Sequence, residues 1–331
     1  MIVVKTPLRI SFFGGGSDLP EWYQHYRSGT VISAAIDKYM YITLNATPNQ
    51  NVRAFYGDTE RVDDIEDLKH ERIRETLKDY NVKNNIEVAS FCEFPTKGTG
   101  LGSSSTYTVG LCKALTTITQ QKESPWELAE RAYKLERQVG SRCGKQDQYA
   151  AAVGGFNVFE FHPSGFVSTQ PIQIPYWSLM TLFSHLMLFR VGENRPADSL
   201  LKEQSDNFKE TEPVMREMLH LTEKNMLSTI YKGDWTQFGY GLDLAWEMKR
   251  KLASGITSDY IDHMYRKAIS AGALGGKLLG AGGSGFLMLF VPHDKQTTMR
   301  QELSELEYFG QVKCSDTGTE VVYDDGRDHR F

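Results

Sequence analysis

Three glycines in five residues, Gly98, Gly100 and Gly102, run into Ser103, Ser104 and Ser105. An apolar helical pattern follows through Val109, Cys112, Leu115 and Ile118. Glycines let a backbone approach a ligand with no Cβ in the way. The free N–H groups and positive dipole end of the following helix favour an anion there. Serine hydroxyls at that end suit a phosphate or a hydrated Mg²⁺. The order strand, glycines, serines, helix is therefore read as a phosphate cradle rather than as a plain flexible loop. No GxxxxGK[ST] match exists in the chain, so it is not a Walker A loop.

A second glycine run, Gly280-Ala281-Gly282-Gly283-Ser284-Gly285, has the letters GxGxxG. A dinucleotide fingerprint needs a strand before it and a helix after it. Here a helix is read before the run and the strand Phe286–Phe290 after it, which disfavours a nicotinamide or flavin site. A loop that folds against a bound ligand from a second domain fits better. The remaining chemistry lies in two acids. Glu136 follows the apolar stripe residue Leu135, at the edge of a buried helix face. Asp147 sits between Gln146 and Gln148, just past the break at Gly144. Lone acids are ordinarily solvated. A phosphate at Ser104, however, calls for one carboxylate for Mg²⁺ and another for the acceptor hydroxyl.

These residues need elements to hold them. Strands are expected at Ile2–Lys5, Arg9–Phe13, Tyr39–Leu44 and Ile86–Phe94, and an exposed helix pair in the charged stretch 58–79. Ser124-Pro125-Trp126-Glu127 is a capping box with proline at the first helical position. Leu128, Ala132, Leu135 and Val139 follow at helical spacing, and Gly140 closes that helix. The second half reads as amphipathic helices over 197–210, 213–231, 234–253 and 257–271. A glycine-rich turn over 272–285, a strand, a helix and a final strand complete it. The proline-marked link Pro171–Pro175 divides the chain into domains 1–170 and 171–331, both α+β.

Composition narrows the class. The chain has 331 residues, 40% of them hydrophobic, enough for a large core and roughly two domains. The net charge of −5 argues against a dedicated nucleic-acid binder. No apolar run approaches the ~18 residues of a membrane span, and the start, Met1–Pro7, breaks too early for a signal peptide. Cys92, Cys112, Cys143 and Cys314 form no CxxC pair and the histidines no HxxxH pair. Scattered thiols suit a reducing cytoplasm better than a disulfide framework or zinc site. The expectation is a cytoplasmic protein without membrane or nucleic-acid partners.

Pro7-Leu8-Arg9 with the loop to Asp18, Gly98 to Ser105, and Gly275 to Gly285 together resemble the galactokinase, homoserine, mevalonate and phosphomevalonate (GHMP) kinases. Within that family, Gly14–Pro20, Gly144–Ala152 and Gly154–Asn157 look most like the D-glycero-D-manno-heptose 7-phosphate kinases. The resemblance implies a two-domain α+β fold. Its N-terminal domain contains a left-handed βαβ unit, its C-terminal domain is ferredoxin-like, and the active site lies between them. It places Asp147 on the catalytic aspartate and Arg9 beside the transferring phosphoryl group and substrate. Ser104 and Glu136 fall on Mg²⁺ ligands. Lys97, Gly98, Gly100, Gly102, Ser103, Ser104 and Ser105 fall on the ATP phosphate site. Asp18, Gly144, Arg195, Gly282 and Gly283 join Arg9 and Asp147 around the substrate. The Glu-His that precedes the sugar-binding aspartate of galactokinase is here Gly15-Gly16, which weakens galactose as substrate.

The implied function is ATP-dependent phosphorylation of the anomeric C1 hydroxyl of D-glycero-D-manno-heptose 7-phosphate to the 1,7-bisphosphate. ATP and Mg²⁺ are its implied cofactors, a sugar phosphate its partner, and a homodimer is compatible with it. A kinase for a neutral hexose or deoxyhexose such as fucose or galactose is the alternative. A catalytically inactive sugar or nucleotide sensor is a third reading. Retention of Asp147, Glu136, Arg9 and Ser104 together argues against it, since a sensor needs no base. Accepting an anionic sugar against a net charge of −5 requires a local cationic pocket. Arg9, Arg142, Lys145, Arg195 and Lys277 are its candidates, with Arg195 foremost as a bidentate phosphate binder.

Overall fold

The computed structural model describes residues 1–47, 51–95, 98–192 and 197–326. Chain order begins with β1 (Ile2–Phe13), β2 (Gly29–Ala46), β3 (Val52–Phe55), β4 (Thr59–Val62), β5 (Ile86–Cys92), β6 (Phe156–Phe161) and β7 (Val167–Pro171). Then come β8 (Leu186–Val191), β9 (Gly275–Leu278), β10 (Gly285–Phe290), β11 (Glu307–Tyr308) and β12 (Glu320–Asp324). The first sheet runs β12-β1-β2-β5-β3-β4, with β6 on β2 and β7 on β6. The 18-residue β2 is its spine, pairing through 29–34 with β6 and through 40–46 with β5.

The two short strands expected over Ile2–Lys5 and Arg9–Phe13 are one strand. Pro7 sits within it without breaking it. Proline removes a ladder N–H, but β12 pairs only with Ile2–Lys5, so that side of Pro7 carries no partner strand. The register on β2 shifts between Pro7 and Arg9. On one side of the shift Ile2 and Val4 join one core cluster, and on the other Leu8, Ile10 and Phe12 join a second. The charged stretch 58–79 is not a helix pair. Thr59–Val62 is β4, paired with β3, Ile65–Asp67 is one 3-10 turn, and Glu71–Asp79 is the one α-helix of the stretch. An edge strand leaves the exposed Arg61 in water, and the half-buried Glu60 accepts from the Tyr56 hydroxyl and the Lys69 and His70 N–H groups, so neither charge costs it much.

The helices of the first half are α1 (Pro20–Tyr23), α2 (Glu71–Asp79), α3 (Ser103–Ile118), α4 (Pro125–Gln138) and α5 (Gln146–Val153). The capping box at Ser124 and Glu127 is formed as read, with both reciprocal bonds in place. The second half holds α6 (Tyr176–Ser184), α7 (Ala197–Asp206), α8 (Phe208–His220), α9 (Leu227–Lys232), α10 (Trp235–Lys249), α11 (Asp259–Ser270) and α12 (Gln296–Glu302). The helix read over 213–231 starts earlier, keeps Pro213 inside α8, and passes through a π-turn at Leu221–Met226 before α9.

The second sheet is ordered β11-β8-β10-β9 and is antiparallel throughout. Numbered along the chain that is 4-1-3-2, with α7 to α11 in the first crossover and α12 in the second: the ferredoxin-like split βαβ arrangement. Strand β9 lies inside the stretch read as a glycine-rich turn. A Cβ at Gly275 would fall 2.1 Å from the Gly239 carbonyl of α10, and one at Gly276 would fall 2.4 Å from the Met288 carbonyl. Close backbone packing demands glycine there and so erases the β-branched signature of a strand. The run Gly280–Gly285 is consequently the turn of a β9–β10 hairpin. No helix follows it, as a dinucleotide fingerprint would require.

The two sheets share an aromatic seam. Phe12 of β1 meets Phe156, Phe183 and Phe238 edge-to-face at ring centroid distances of 5.7, 6.3 and 5.4 Å. Phe12 is fully buried. Phe12→Ala removes the ring that packs β1 against β6, α6 and α10 and should cost about 3–5 kcal/mol. Guanidinium unfolding followed by circular dichroism and fluorescence measures it. A loss under about 1 kcal/mol would show that the seam repacks.

Candidate active site

A cleft at the junction of the sheets is lined by the N-terminal end of α3, the C-terminal end of β1, the start of α5 and the Gly280 turn. Gly98, Gly100 and Gly102 all have positive φ, of 66°, 71° and 76°. The loop therefore takes left-handed turns that side chains resist, and Gly102 ends them as the residue before α3. Ser103 and Ser104 line the cleft. Ser105 does not, because it is buried and its hydroxyl donates to Glu136 Oε2 at 2.6 Å.

The second glycine run meets the first directly. A Cβ on Gly100 would strike the Leu279 carbonyl at 2.2 Å, and one on Gly280 would reach the Gly100 Cα at 2.5 Å. Phe286 N–H donates to the Thr99 carbonyl at 3.2 Å. Gly280 and Ala281 line the cleft. Gly282 and Gly283, read as substrate contacts, are not brought to it. Gly282 packs on the Ile256 backbone, and Gly283 N–H donates to the Ile256 carbonyl at 2.9 Å.

Arg9 and Asp147, 138 residues apart, form the centre. Arg9 Nε donates to Asp147 Oδ1 at 2.7 Å, and a second guanidinium nitrogen lies 2.7 Å from the same oxygen. A further Arg9 nitrogen donates to the Gly100 carbonyl at 2.6 Å, and its backbone N–H donates to Leu101. The side chain is nearly fully buried, at 4% exposure. Asp147 lies in the first turn of α5, where the helix dipole favours its charge. With Oδ1 engaged by Arg9, Oδ2 faces Gly102 and carries no hydrogen bond among the described residues.

Asp18 stands beside Asp147. Its Oδ1 accepts from Gly16 N–H and Gln146 Nε2 at 2.9 and 3.0 Å, and its Oδ2 from Gln146 N–H at 3.3 Å. Burial, reinforced by the Asp147 charge, raises its carboxyl above the usual carboxylate range. Gly144 leaves no room to spare, since a Cβ there would sit 2.0 Å from Asp18 Oδ2. Two further polar atoms of the cleft lining, Ser11 Oγ and Gln146 Oε1, are buried without a hydrogen-bond partner among the described residues.

Glu136 of α4 is 1% exposed. Ser104 Oγ donates to its Oε1 at 2.9 Å, Ser105 and Gln148 donate to its Oε2, and Arg72 Nε lies 3.5 Å from Oε1. No cluster of three or more His, Cys, Asp or Glu side chains suited to a metal occurs among the described residues. A single carboxylate with an adjacent hydroxyl nevertheless matches Mg²⁺, which takes one or two protein oxygens and completes its shell with phosphates and waters.

Lys97 and Arg195 lie outside the described residues. Arg142 and Lys145 do not line the cleft: the Arg142 backbone N–H donates to Asp198, and the Lys145 ammonium pairs with Glu130. Gln146, Gln148 and Lys249 went unread as site residues. Glutamines carry no charge pattern to mark them, and a lysine in the last turn of a helix is the ordinary dipole complement.

The comparisons agree with this architecture. GHMP kinases N terminal domain matches residues 68–155, and GHMP kinases C terminal matches residues 226–308. The chain belongs to the GHMP kinases, and it is an ATP-dependent kinase. It is 28% identical over 330 residues to D-glycero-alpha-D-manno-heptose 7-phosphate kinase of Campylobacter jejuni, covering 94% of this chain and 95% of that one. It is 25% identical to a galactokinase of Pyrococcus furiosus, covering 90% and 91%. Among solved structures, a D-glycero-D-manno-heptose 1-phosphate kinase from Bacteroides thetaiotaomicron superposes with a TM-score of 0.81 at 25% identity, covering 98% of this chain and all of that one. No described helix is long and apolar enough to cross a membrane.

Gly144→Ala should push Asp18 out of place and lower kcat/KM about 10²-fold while the protein still folds. Steady-state kinetics with a thermal melt checks this. An active variant would mean that Asp18 can move without consequence.

Proposed function

We propose that the chain is a sugar kinase that transfers the γ-phosphoryl group of ATP to the C1 hydroxyl of D-glycero-D-manno-heptose 7-phosphate, giving the 1,7-bisphosphate. The observation that carries this reading is the Arg9 fork, which joins Asp147 to the glycine loop beside a polar acceptor cleft. The Campylobacter relative supports the substrate. The unpartnered Ser11 Oγ and Gln146 Oε1 suit a polyol, because buried polar atoms need hydrogen bonds.

The glycine loop and the α3 N-terminus receive the phosphates of ATP, with Ser103 and Ser104 adding hydroxyls. Asp147 Oδ2 accepts the proton of the attacking C1 hydroxyl, and Arg9 fixes that carboxylate in place. The guanidinium also offers positive charge to the phosphoryl group in flight. Asp18 orients the sugar hydroxyls through its buried carboxyl. Glu136 and Ser104 would hold Mg²⁺, whose charge neutralises the phosphate oxygens when bound.

Asp147→Asn keeps the size and removes the basic carboxylate, so kcat should fall about 10²–10⁴-fold with ATP still bound. Near-normal turnover would exclude Asp147 as the base. Glu136→Gln should raise the Mg²⁺ concentration needed for half-maximal rate more than it raises the sugar KM. A change in sugar KM alone would remove Glu136 from the metal site. ADP release against a panel of sugars and sugar phosphates, with phosphorus NMR of the product, tests the substrate and the position. Preference for a neutral hexose or deoxyhexose would replace the heptose phosphate.

A further inference from the structure

Two lysines in the cleft lie outside the mechanism above. Lys249 ends α10 and Lys277 sits in β9, and they are only 6% and 5% exposed. Both line the cleft with Arg9, Asp18 and Asp147. Lys277 Nζ donates to the Phe12 carbonyl at 2.9 Å. Lys249 Nζ donates to the Leu278 and Gly280 carbonyls at 3.1 and 2.5 Å. Neither makes an ion pair among the described residues. An ammonium has three protons, so both lysines keep protons that these carbonyls do not use.

Carbonyl dipoles are not counter-charges, and a buried ammonium without an anion is costly. The nearby acids do not fill that role. Asp147 is committed to Arg9, and Asp18 is committed to Gly16 and Gln146. Three cations therefore face two carboxylates, one of which burial already pushes toward its neutral form. The imbalance shows in the lysines themselves. Burial, then the Arg9 charge, pulls Lys249 down to about 7. Burial, then Lys249 and Arg9, takes Lys277 well below the usual lysine range. An arriving dianion would relieve all of these penalties together.

Position favours the acceptor side of the cleft. Lys277 is tied to Phe12, next to Ser11 of the lining, and Asp18 is the acid whose field reaches Lys249. We propose that Lys249 and Lys277 form a subsite for the phosphate that the sugar acceptor already carries, and so select a phosphorylated over a neutral sugar. This rests on the sugar phosphate reading above. The terminal phosphate of ATP shares the same chemistry, and the experiment separates the two sources.

Lys249→Met and Lys277→Met keep the aliphatic stem and remove the charge. Each should lower kcat/KM for heptose 7-phosphate about 10–100-fold more than for unphosphorylated heptose. Affinity for the ATP analogue AMP-PNP should stay within about 3-fold of wild type. Equal losses with both sugars, or a loss confined to AMP-PNP, would overturn the subsite. A wild-type enzyme with no preference for the phosphorylated sugar would instead overturn the sugar phosphate reading. Should the variants not fold, inorganic phosphate serves as probe on the wild type. Inhibition competitive with heptose 7-phosphate and not with ATP supports the subsite, and competition with ATP alone refutes it.

Discussion

Arg9 is bonded at once to the carboxylate of Asp147 and to the carbonyl of Gly100, and the geometry of the whole cleft hangs on that fork. A nearly buried guanidinium cannot be left without partners, since removing one side of a buried pair costs about 3–5 kcal/mol. The pair is a poor source of net stability, because desolvation offsets most of its attraction. Its effect is positional. It sets the one free oxygen of Asp147 against Gly102, where the glycine loop turns into α3. A rigid five-donor fork can do this, whereas a lysine offers a point charge with no fixed angle.

The fork is useful only if the glycine loop is itself immobile, and the second domain supplies that restraint. Gly100 and Gly280 meet backbone to backbone, while Lys249 grips the Gly280 carbonyl and Phe286 bonds Thr99. Neither glycine tolerates a Cβ, so these residues serve loop-to-loop contact as much as ligand approach. The shared seam of Phe12, Phe238 and their neighbours holds the two sheets in the relation that contact requires.

What could be read from the chain alone follows the range of each signal. The α4 capping box is four residues long and was fully legible, as were the serine-led start of α3 and the α+β class. Strand β9 was not, because close packing of Gly275 on α10 and of Gly276 on β10 displaces the β-formers. The charged segment 58–79 misled for the opposite reason: its acids and bases resemble an exposed helix, yet an edge strand carries them equally well. At the site, Asp147 was marked by its chemistry beside the glycine break and Arg9 and Asp18 by motif resemblance, and only the fold brings them together. Gly282 and Gly283 share a motif with Gly280, yet the hairpin turns them toward Ile256. Lys249 carries no local mark at all. Its burial depends on β9 and the Gly280 turn, about thirty residues further on.

The charge distribution explains how a protein of net charge −5 can bind an anionic substrate such as ATP. Exposed charges are screened over about 8–10 Å at physiological ionic strength, so the surface excess of acid acts weakly on a bound group. Inside the cleft, Arg9, Lys249 and Lys277 act in a poorly solvated space where each interaction is stronger. The cost of keeping them there without an anion falls on the empty protein, visible in the lowered Lys249 and the raised Asp18. Ligand charge therefore does two things on arrival. It favours the ammonium forms of the lysines and offsets the penalty of their burial. Placing the cations on β1, β9 and α10, rather than on one loop, also means that they converge only when both domains are correctly packed.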